Sequence, residues 1–309
     1  MTERDGGRGA LATDDPAVAE ASEGRADDRD LPFDGHLHTA MSPDSSVAID
    51  TWAAAALARG IPEIAITDHV DFEPTAPAYG YADFATRERA VREAAARWAD
   101  RGVTIRFGIE VTYQSRYEAE IREHLARHPY DHTIGSVHVM RDDPYTRERV
   151  ATWCAGRPFA EVVAPYFAEV LAAARSAIFD TLGHLDFVKR YLAPHVPPAA
   201  FAAAPEVYEP ILVALVASGT GLEVNTSGLR QAAEETYPAP WAVARFRELG
   251  GTRVTIGSDA HVARSFAFGL GRGYLVAADA GFGEVGLGRQ GDGAAAGRPS
   301  SGSSGSSGG

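Results

Sequence analysis

Short apolar runs rich in β-branched residues alternate along the chain with longer, alanine-rich segments whose apolar residues recur at helical spacing. The short runs predict strands at 61–69, 103–111, 131–139, 179–185, 220–225 and 252–261, and a further strand that ends in the HLH sequence at 36–38. The longer segments predict helices at 48–60, 83–102, 115–128, 158–176 and 205–219. This alternation indicates parallel strands joined by crossover helices, and about seven repeats favour a closed α/β barrel over an open sheet.

The chain divides by composition into a core and two flanking segments. Residues 1–30 contain almost no large apolar side chain, so we predict a disordered N-terminal segment. Residues 283–309 run into Gly- and Ser-rich sequence, which predicts a flexible tail. The remaining residues, 31–282, have about the length of a single (β/α) barrel domain, which is roughly 250 residues.

Charge and cysteine content narrow the class of protein. The formal net charge of −13 argues against extended nucleic acid as a partner, because such proteins usually present a basic face. A small anionic substrate remains open, since a bound metal ion can supply a local positive centre. Cys154 is the one cysteine, which excludes an internal disulfide and favours a cytoplasmic location. No run of about 18 apolar residues occurs, so we predict no membrane contact; the oligomeric state is not indicated.

Residues able to bind metal end almost every predicted strand, in the sequences HLH, TDH, GIE, SVH, GHLD, EVN and SDAH. In a parallel barrel the C-terminal strand ends gather on one face, so these residues are expected to converge. His36 and His38 are two positions apart, as are Asp259 and His261, and such pairs point to the same side of a strand. The pattern predicts one shared site.

Six of the ten histidines, together with Glu110 and Asp259, occupy these strand ends. Isolated structural histidines explain so many positions poorly, because ionisable groups that converge without a counter-ion lose hydration and repel like charges. Divalent cations remove that cost. Imidazole and carboxylate together suit Zn, Mn or Fe, and the ligand types do not choose among the three.

The order DGHLHT, TDH, GIE, GSVH, GHLD and GSDAH resembles the polymerase and histidinol phosphatase (PHP) superfamily across the core from Asp34 to His261. The resemblance implies a distorted seven-stranded (β/α) barrel, a TIM-like fold, with a trinuclear metal site at the C-terminal face of the strands. It implies a first ion on His36, His38, Glu110 and Asp259, a second on Glu110, His138 and His184, and a third on Asp44, His69 and His261.

Position 44 departs from other branches of this family, which carry His there. An Asp is a competent oxygen ligand, but it could lower the occupancy of the third site or change its metal. The alternative reading of Asp44 is a helix N-cap or turn residue in the SPDSS sequence. We therefore expect two to three divalent ions.

The sequences LEVNTSGLR, GHLDFVKRY and YPAP resemble the histidinol-phosphatase branch of the family. Arg230 follows a strand end and a turn, so its planar guanidinium is a candidate for binding and stabilising a phosphate. Asn225 and Ser227 are candidates for orienting Arg230 or contacting substrate. Lys189 is a weaker candidate for substrate binding, since it could instead cover the barrel rim.

The resemblance implies metal-dependent hydrolysis of a small phosphate monoester, with L-histidinol phosphate and a place in histidine biosynthesis as the most economical assignment. Asp259 or His261 would give a proton to the leaving group. The segment 68–84 is a candidate lid, and its acids Asp71 and Glu73 could meet a substrate amine or be solvated. Two alternatives remain: a phosphoesterase acting on nucleotides or short oligonucleotides, and a non-catalytic metal-binding module.

Overall fold

A computed structural model of the chain describes residues 28–283 and 285–287. In these residues the strands are β1 Asp34–Leu37, β2 Glu63–Ile66, β3 His69–Val70, β4 Thr104–Thr112, β5 His132–Ser136, β6 Thr181–Leu182, β7 Gly221–Asn225 and β8 Val254–Gly257. The helices are α1 Ile49–Arg59, α2 Phe84–Ala99, α3 Glu118–Arg127, α4 Val150–Cys154, α5 Phe159–Ser176, α6 Lys189–Leu192, α7 Pro198–Ala202, α8 Glu209–Ser218, α9 Pro240–Glu248 and α10 Leu270–Asp279.

The strands form one parallel sheet in the order β1-β2-β4-β5-β6-β7-β8. The short β3 continues the course of β2 and pairs with the second half of β4, where His69 lies opposite Glu110. The sheet curls until Leu37 forms a parallel bridge with Ala260, so the first strand meets the segment that follows the last. The predicted α/β barrel is confirmed as a nearly closed, seven-stranded barrel whose second strand is interrupted.

Asp34 fastens the seam between the first and last strands. Its fully buried carboxylate accepts hydrogen bonds from the backbone N–H of Ser258, at 2.8 Å, and from the Ser258 hydroxyl. Burial disfavours the ionised form and raises the pKa of Asp34 to about 6, although these hydrogen bonds act in the opposite direction. The seam holds the ends of β1 and β8 side by side.

The strand residues are buried on both faces, as expected for a parallel sheet covered by helices. Every residue of β1, β7 and β8 is buried, and Trp52 of α1 is fully buried against the barrel. The indole N–H of Trp52 donates a hydrogen bond of 2.9 Å to the carbonyl of His38. The first helix therefore stabilises the loop at the end of β1.

The predicted disordered N-terminal segment and the predicted flexible tail lie mostly outside the described residues, because 1–27, 284 and 288–309 are not among them. Asp28, in the segment predicted to be disordered, is buried, and its carboxylate accepts hydrogen bonds from Gly269 and Gly271 at the start of α10. Leu287 packs beside Gly35. Among the described helices, none has the length and apolarity needed to cross a membrane.

Candidate metal centre

The residues predicted to bind metal come together at the C-terminal ends of the strands. Some lie within or directly after a strand, and Asp44 lies in the loop between β1 and α1. Close contacts between imidazole nitrogens and carboxylate oxygens connect the whole predicted set: His36, His38, Asp44, His69, Glu110, His138, His184, Asp259 and His261.

Glu110 lies at the centre of the cluster. Its side chain projects from β4 and is fully buried, and each of its oxygens faces a different set of imidazoles. Oε2 lies near three nitrogens: His69 Nδ1 at 2.9 Å, His36 Nε2 at 3.3 Å and His38 Nε2 at 3.5 Å. Oε1 lies 2.9 Å from His184 Nε2 and 3.4 Å from His138 Nε2. One carboxylate therefore joins the two sides of the cluster.

Asp259 approaches the cluster from the end of β8. Its Oδ1 lies 3.4 Å from His38 Nε2 and 3.8 Å from His36 Nε2. The backbone of Asp259 has a φ of 54°, in the left-handed region that residues other than Gly, Asn and Asp rarely adopt. Such conformations concentrate at functional sites, because the surrounding structure must hold them.

Asp44 lies between two imidazoles on the outer side of the cluster. Its Oδ2 is 3.1 Å from His261 Nε2 and 3.3 Å from His69 Nε2. Helix α1 begins at Ile49 with Ala48 as its N-cap, so the N-cap interpretation of Asp44 is wrong, whereas its alternative as a turn residue agrees with the turn found at this position. The geometry brings Asp44 together with His69 and His261, the set that the family resemblance implies for a third ion.

Several buried polar atoms of the cluster make no hydrogen bond within the described residues. They are His36 Nε2, His38 Nε2, Glu110 Oε2 and Asp44 Oδ1. Buried polar atoms are otherwise almost always paired, and leaving one unpaired costs about 1–3 kcal/mol. His36 Nε2 and His38 Nε2 both face Glu110 Oε2, and Asp44 lies beside His69 and His261, so divalent cations in this cluster would satisfy these atoms. The donor set therefore fits metal ions.

The donor atoms fall into three groups within which all atoms lie within 4.8 Å of one another: His38, Asp44, His69 and His261; His36, His38 and Glu110; and His69, Glu110 and His138. The groups share members, so the geometry permits more than one division of the donors among ions. His69 shows this most clearly, since Nδ1 faces Glu110 and Nε2 faces Asp44.

Charges in the cluster oppose the effect of burial on the pKa of Glu110 and of His36, and they add to it for His38. Burial alone would raise the pKa of the Glu110 carboxyl, but the surrounding imidazoles, His36 foremost, hold it well below its usual range. Burial also disfavours the imidazolium of His36, yet the carboxylates of Glu223 and Glu110 raise its pKa well above the usual value. For His38, burial and two neighbouring imidazoles lower the pKa. A cation at the centre would stabilise the carboxylates and favour neutral imidazoles.

Asp68, which sequence reasoning passed over within the TDH sequence, organises the loop that carries Asp44. Its buried carboxylate accepts hydrogen bonds from the Thr39 N–H at 2.6 Å and from the Ser42 hydroxyl at 3.0 Å. The buried guanidinium of Arg87 donates to the carbonyls of Asp68 and His69. A carboxylate directly before a candidate ligand is the signal that could have identified it.

Glu223 is the second residue that the sequence analysis missed. It lies on β7, two positions before Asn225, and its carboxylate is 2.6 Å from Nδ1 of His36. It also accepts a hydrogen bond of 2.8 Å from the backbone N–H of His184. Glu223 is two positions before Asn225, so the sequence indicates that both side chains point to the same side of the strand. The LEVN sequence is equally typical of a buried strand without a functional carboxylate, however, so the spacing alone did not identify Glu223.

Asn225 and Ser227 lie beside the cluster. The Asn225 amide is fully buried and donates to Glu223 Oε2 at 3.1 Å and to Asp259 Oδ2 at 3.3 Å, while its carbonyl accepts from the Ser227 N–H at 2.9 Å. Both donors of Asn225 are thus committed to carboxylates, which favours a positioning role. The Ser227 hydroxyl is buried and makes no hydrogen bond within the described residues.

Arg230 is half-buried at the rim of the barrel. Its Nη1 and Nη2 donate hydrogen bonds of 2.7 Å to the carbonyls of Ser258 and Asp259. The guanidinium therefore holds the backbone that carries Asp259. Contact with a phosphate stays a prediction for this residue.

Lys189 has surroundings unlike those expected for a substrate-binding residue. Its ammonium lies 2.7 Å from Asp186 Oδ2 and 2.6 Å from Glu235 Oε1, and only 1% of the residue is exposed. Burial opposes the charge, but the two carboxylates raise the pKa of Lys189 above its usual value. The ion pair ties α6 to the segment before α9.

The candidate lid, residues 68–84, contains β3 and the loop 71–83 that connects β3 to α2 beside the barrel mouth. Asp71 accepts a hydrogen bond from the Ala78 N–H at 3.0 Å, and Glu73 contacts Arg116 and accepts a hydrogen bond of 3.1 Å from the Tyr117 hydroxyl. Both acids thus hold the loop itself in place.

A barrel that gathers buried imidazoles and carboxylates at its strand ends is typical of metal-dependent α/β barrel enzymes. The model of the PHP domain family matches residues 34–227, and the chain belongs to this family. It is 29% identical over 234 residues to the "Probable histidinol-phosphatase" of Deinococcus radiodurans, covering 74% of this chain and 85% of the relative. It is 27% identical over 263 residues to the histidinol-phosphatase of Lactococcus lactis, covering 82% and 93%.

A solved structure extends the likeness to three dimensions. The crystal structure of histidinol phosphate phosphatase from Lactococcus lactis, complexed with zinc, L-histidinol and phosphate, superposes with a TM-score of 0.71. It is 25% identical, and the match covers 84% of this chain and 97% of that one. The expected membership of the PHP superfamily is confirmed.

Proposed function

We propose that the chain hydrolyses L-histidinol phosphate to L-histidinol and phosphate, a step of histidine biosynthesis. The observation that carries the proposal is the cluster of unpaired, buried nitrogen and oxygen atoms around Glu110. The likeness to a structure that holds zinc, L-histidinol and phosphate supports the choice of substrate. The chain is accordingly a metal-dependent phosphatase that acts on a small phosphate monoester.

Two to three divalent ions are proposed, with zinc as the first candidate beside Mn and Fe, because the similar structure contains zinc. We name three ligand groups for them. The His36 group is His36, His38, Glu110 and Asp259; the His184 group is Glu110, His138 and His184; and the Asp44 group is Asp44, His69 and His261. Ions in such a cluster neutralise phosphoryl charge and lower the pKa of bound water toward neutrality.

The residues of the chain have separate tasks in this proposal. Glu110 holds the first two groups together, since its two oxygens face different imidazoles. Arg230, a candidate for contacting the phosphate, fixes the Asp259 backbone. Asp259 and His261 are the candidates for protonating the leaving oxygen, and His261 has the more accessible side chain, 23% exposed against 10%.

The test compares two phosphate substrates. Purified chain loaded with zinc or manganese is assayed for phosphate release from L-histidinol phosphate and from a 3′,5′-bisphosphonucleotide, with His138→Ala as the control for contaminating phosphatases. We expect release from the first substrate with kcat/KM at least about tenfold higher, a difference of about 1.4 kcal/mol in transition-state binding. Release from the nucleotide alone would support the nucleotide phosphoesterase reading, and release from neither would support a non-catalytic metal-binding module.

A further inference from the structure

The Glu223 side chain lies inside the barrel beneath the ligands. It projects from β7, and only 1% of the residue is exposed. Two glycines on either side make room for it: a Cβ added at Gly257 would come within 2.8 Å of Glu223 Oε1, and one added at Gly183 within 3.4 Å of Oε2. A Cβ added at Gly257 would also come within 2.4 Å of the His36 Cβ, so a side chain at this position would clash with His36.

Two N–H donors and the His36 ring contact the Glu223 carboxylate. Oε1 lies 2.6 Å from Nδ1 of His36, and Oε2 accepts from the His184 N–H at 2.8 Å and from the Asn225 amide at 3.1 Å. A carboxylate without a proton only accepts hydrogen bonds, so Nδ1 of His36 must carry hydrogen. The lone pair of a neutral His36 is then on Nε2, which points toward Glu110.

We propose that Glu223 is a positioning residue that couples two ligand groups: it fixes the tautomer of His36 in one and the backbone of His184 in the other. The link extends through Asn225, whose amide joins Glu223 to Asp259. Within the part of the chain that the structure describes, the hydrogen bonds of Glu223 go to His36, His184 and Asn225 and to no member of the Asp44 group. The inference rests on the proposed metal-dependent function and predicts that Glu223 supports two groups while sparing the third.

Glu223→Gln is the sharpest variant, because it keeps the size of the side chain and removes one acceptor oxygen. The NH2 group of the new side-chain amide must face either His36 Nδ1 or the N–H donors of His184 and Asn225. In the first case His36 changes tautomer and Nε2 carries hydrogen, which blocks a metal bond; in the second case the backbone of His184 is pushed away. Second-shell changes of this kind typically weaken metal binding by about 10–100-fold.

The experiment measures bound zinc by mass spectrometry after equilibration in a nitrilotriacetate zinc buffer. We expect Glu223→Gln to lose the zinc of the His36 and His184 groups, with zinc affinity lower by about 10–100-fold, and to retain the zinc of the Asp44 group. Adding Asp44→Asn to that variant should remove the remaining zinc. The matched control is Asp180→Asn, another buried carboxylate that accepts hydrogen bonds, from the N–H and hydroxyl of Thr133, and it should keep the wild-type zinc content.

The outcomes separate this inference from the proposed function. Wild-type zinc content in Glu223→Gln overturns the coupling role alone, and loss of zinc from all three groups points to general unfolding and also overturns it. A wild-type chain without zinc affinity overturns the metal centre itself. If Glu223→Gln does not fold, ¹⁵N spectra of the zinc-loaded wild-type imidazoles decide: hydrogen on Nδ1 of His36 and zinc on Nε2 are expected, and the reverse contradicts the proposal.

Discussion

The Asp44 carboxylate faces the His261 imidazole at the barrel mouth, with 3.1 Å between Oδ2 and Nε2. Asp44 lies in the loop after the first strand, and His261 lies in the segment after the last strand. These two strands lie side by side, and the hydrogen bonds of Asp34 to Ser258 hold them together. Closure of the barrel therefore completes this side of the cluster, and an open sheet would leave the two residues apart.

Asp44→Asn is expected to remove one metal ion per chain and to lower kcat/KM by at least about tenfold, because an amide oxygen is a weaker ligand than a carboxylate. Metal content and phosphate release measure the effect. Asp50→Asn is the control, since Asp50 binds Arg97 and Trp98 at an exposed site away from the cluster. Unchanged metal content in Asp44→Asn would show that no ion depends on the Asp44 carboxylate.

His138→Ala is expected to lower kcat/KM by about 10³-fold with the fold preserved. Its Nε2 lies 3.4 Å from Glu110 Oε1, and metal charge stabilisation of several kcal/mol corresponds to such a factor. The side chain lies at the mouth and is 12% exposed, so solvent can reach the space that its removal leaves. Circular dichroism should match wild type, and His195→Ala, at an exposed loop position, should keep full activity. Wild-type turnover in His138→Ala would contradict a ligand role.

The sequence predicted the barrel because the strand and helix patterns repeat, and it predicted the convergence of the strand-end residues because parallel strands share a direction. Helix α10 was not predicted, since its sequence is Gly-rich and glycine signals an ending; in the fold, Gly273 lies inside the helix where a Cβ would come within 2.7 Å of Ile256. Close packing against β8 explains that glycine, and only the three-dimensional structure reveals the neighbour.

The supporting residues were harder to predict than the ligands. Glu223 and Asp68 bind partners far away in the chain, so no local spacing identifies them. Lys189 was a weaker candidate for substrate binding, with a place covering the barrel rim as the alternative. Its burial depends on Asp186 one turn earlier and on Glu235 in a distant segment, and the second partner could not be inferred from sequence.

Removal of metal is expected to lower the thermal stability of the chain. A ligand that binds only the folded state stabilises it by about 2.7 kcal/mol at 100 times its Kd, which for a chain of this size corresponds to a Tm change of roughly 5–10 °C. Calorimetry with and without a chelator measures the change, and added zinc should restore the Tm. An Asp44→Asn/His138→Ala variant should show a smaller change. Equal Tm values for the loaded and the stripped wild-type protein would contradict metal binding at the buried cluster.

Lys189→Met is expected to lower the free energy of unfolding by about 3–5 kcal/mol, because the buried Asp186 carboxylate loses its cation. The chain has no other lysine, and the compact ammonium fits between two carboxylates and 5.0 Å from the centre of the Phe201 ring. Urea unfolding measures the loss, and adding Asp186→Asn should recover part of it by removing the uncompensated charge. A substrate-binding role predicts the opposite pattern, in which KM rises and stability stays at the wild-type value. An exposed cation such as Arg89 provides the control, since Arg89→Met should change neither quantity.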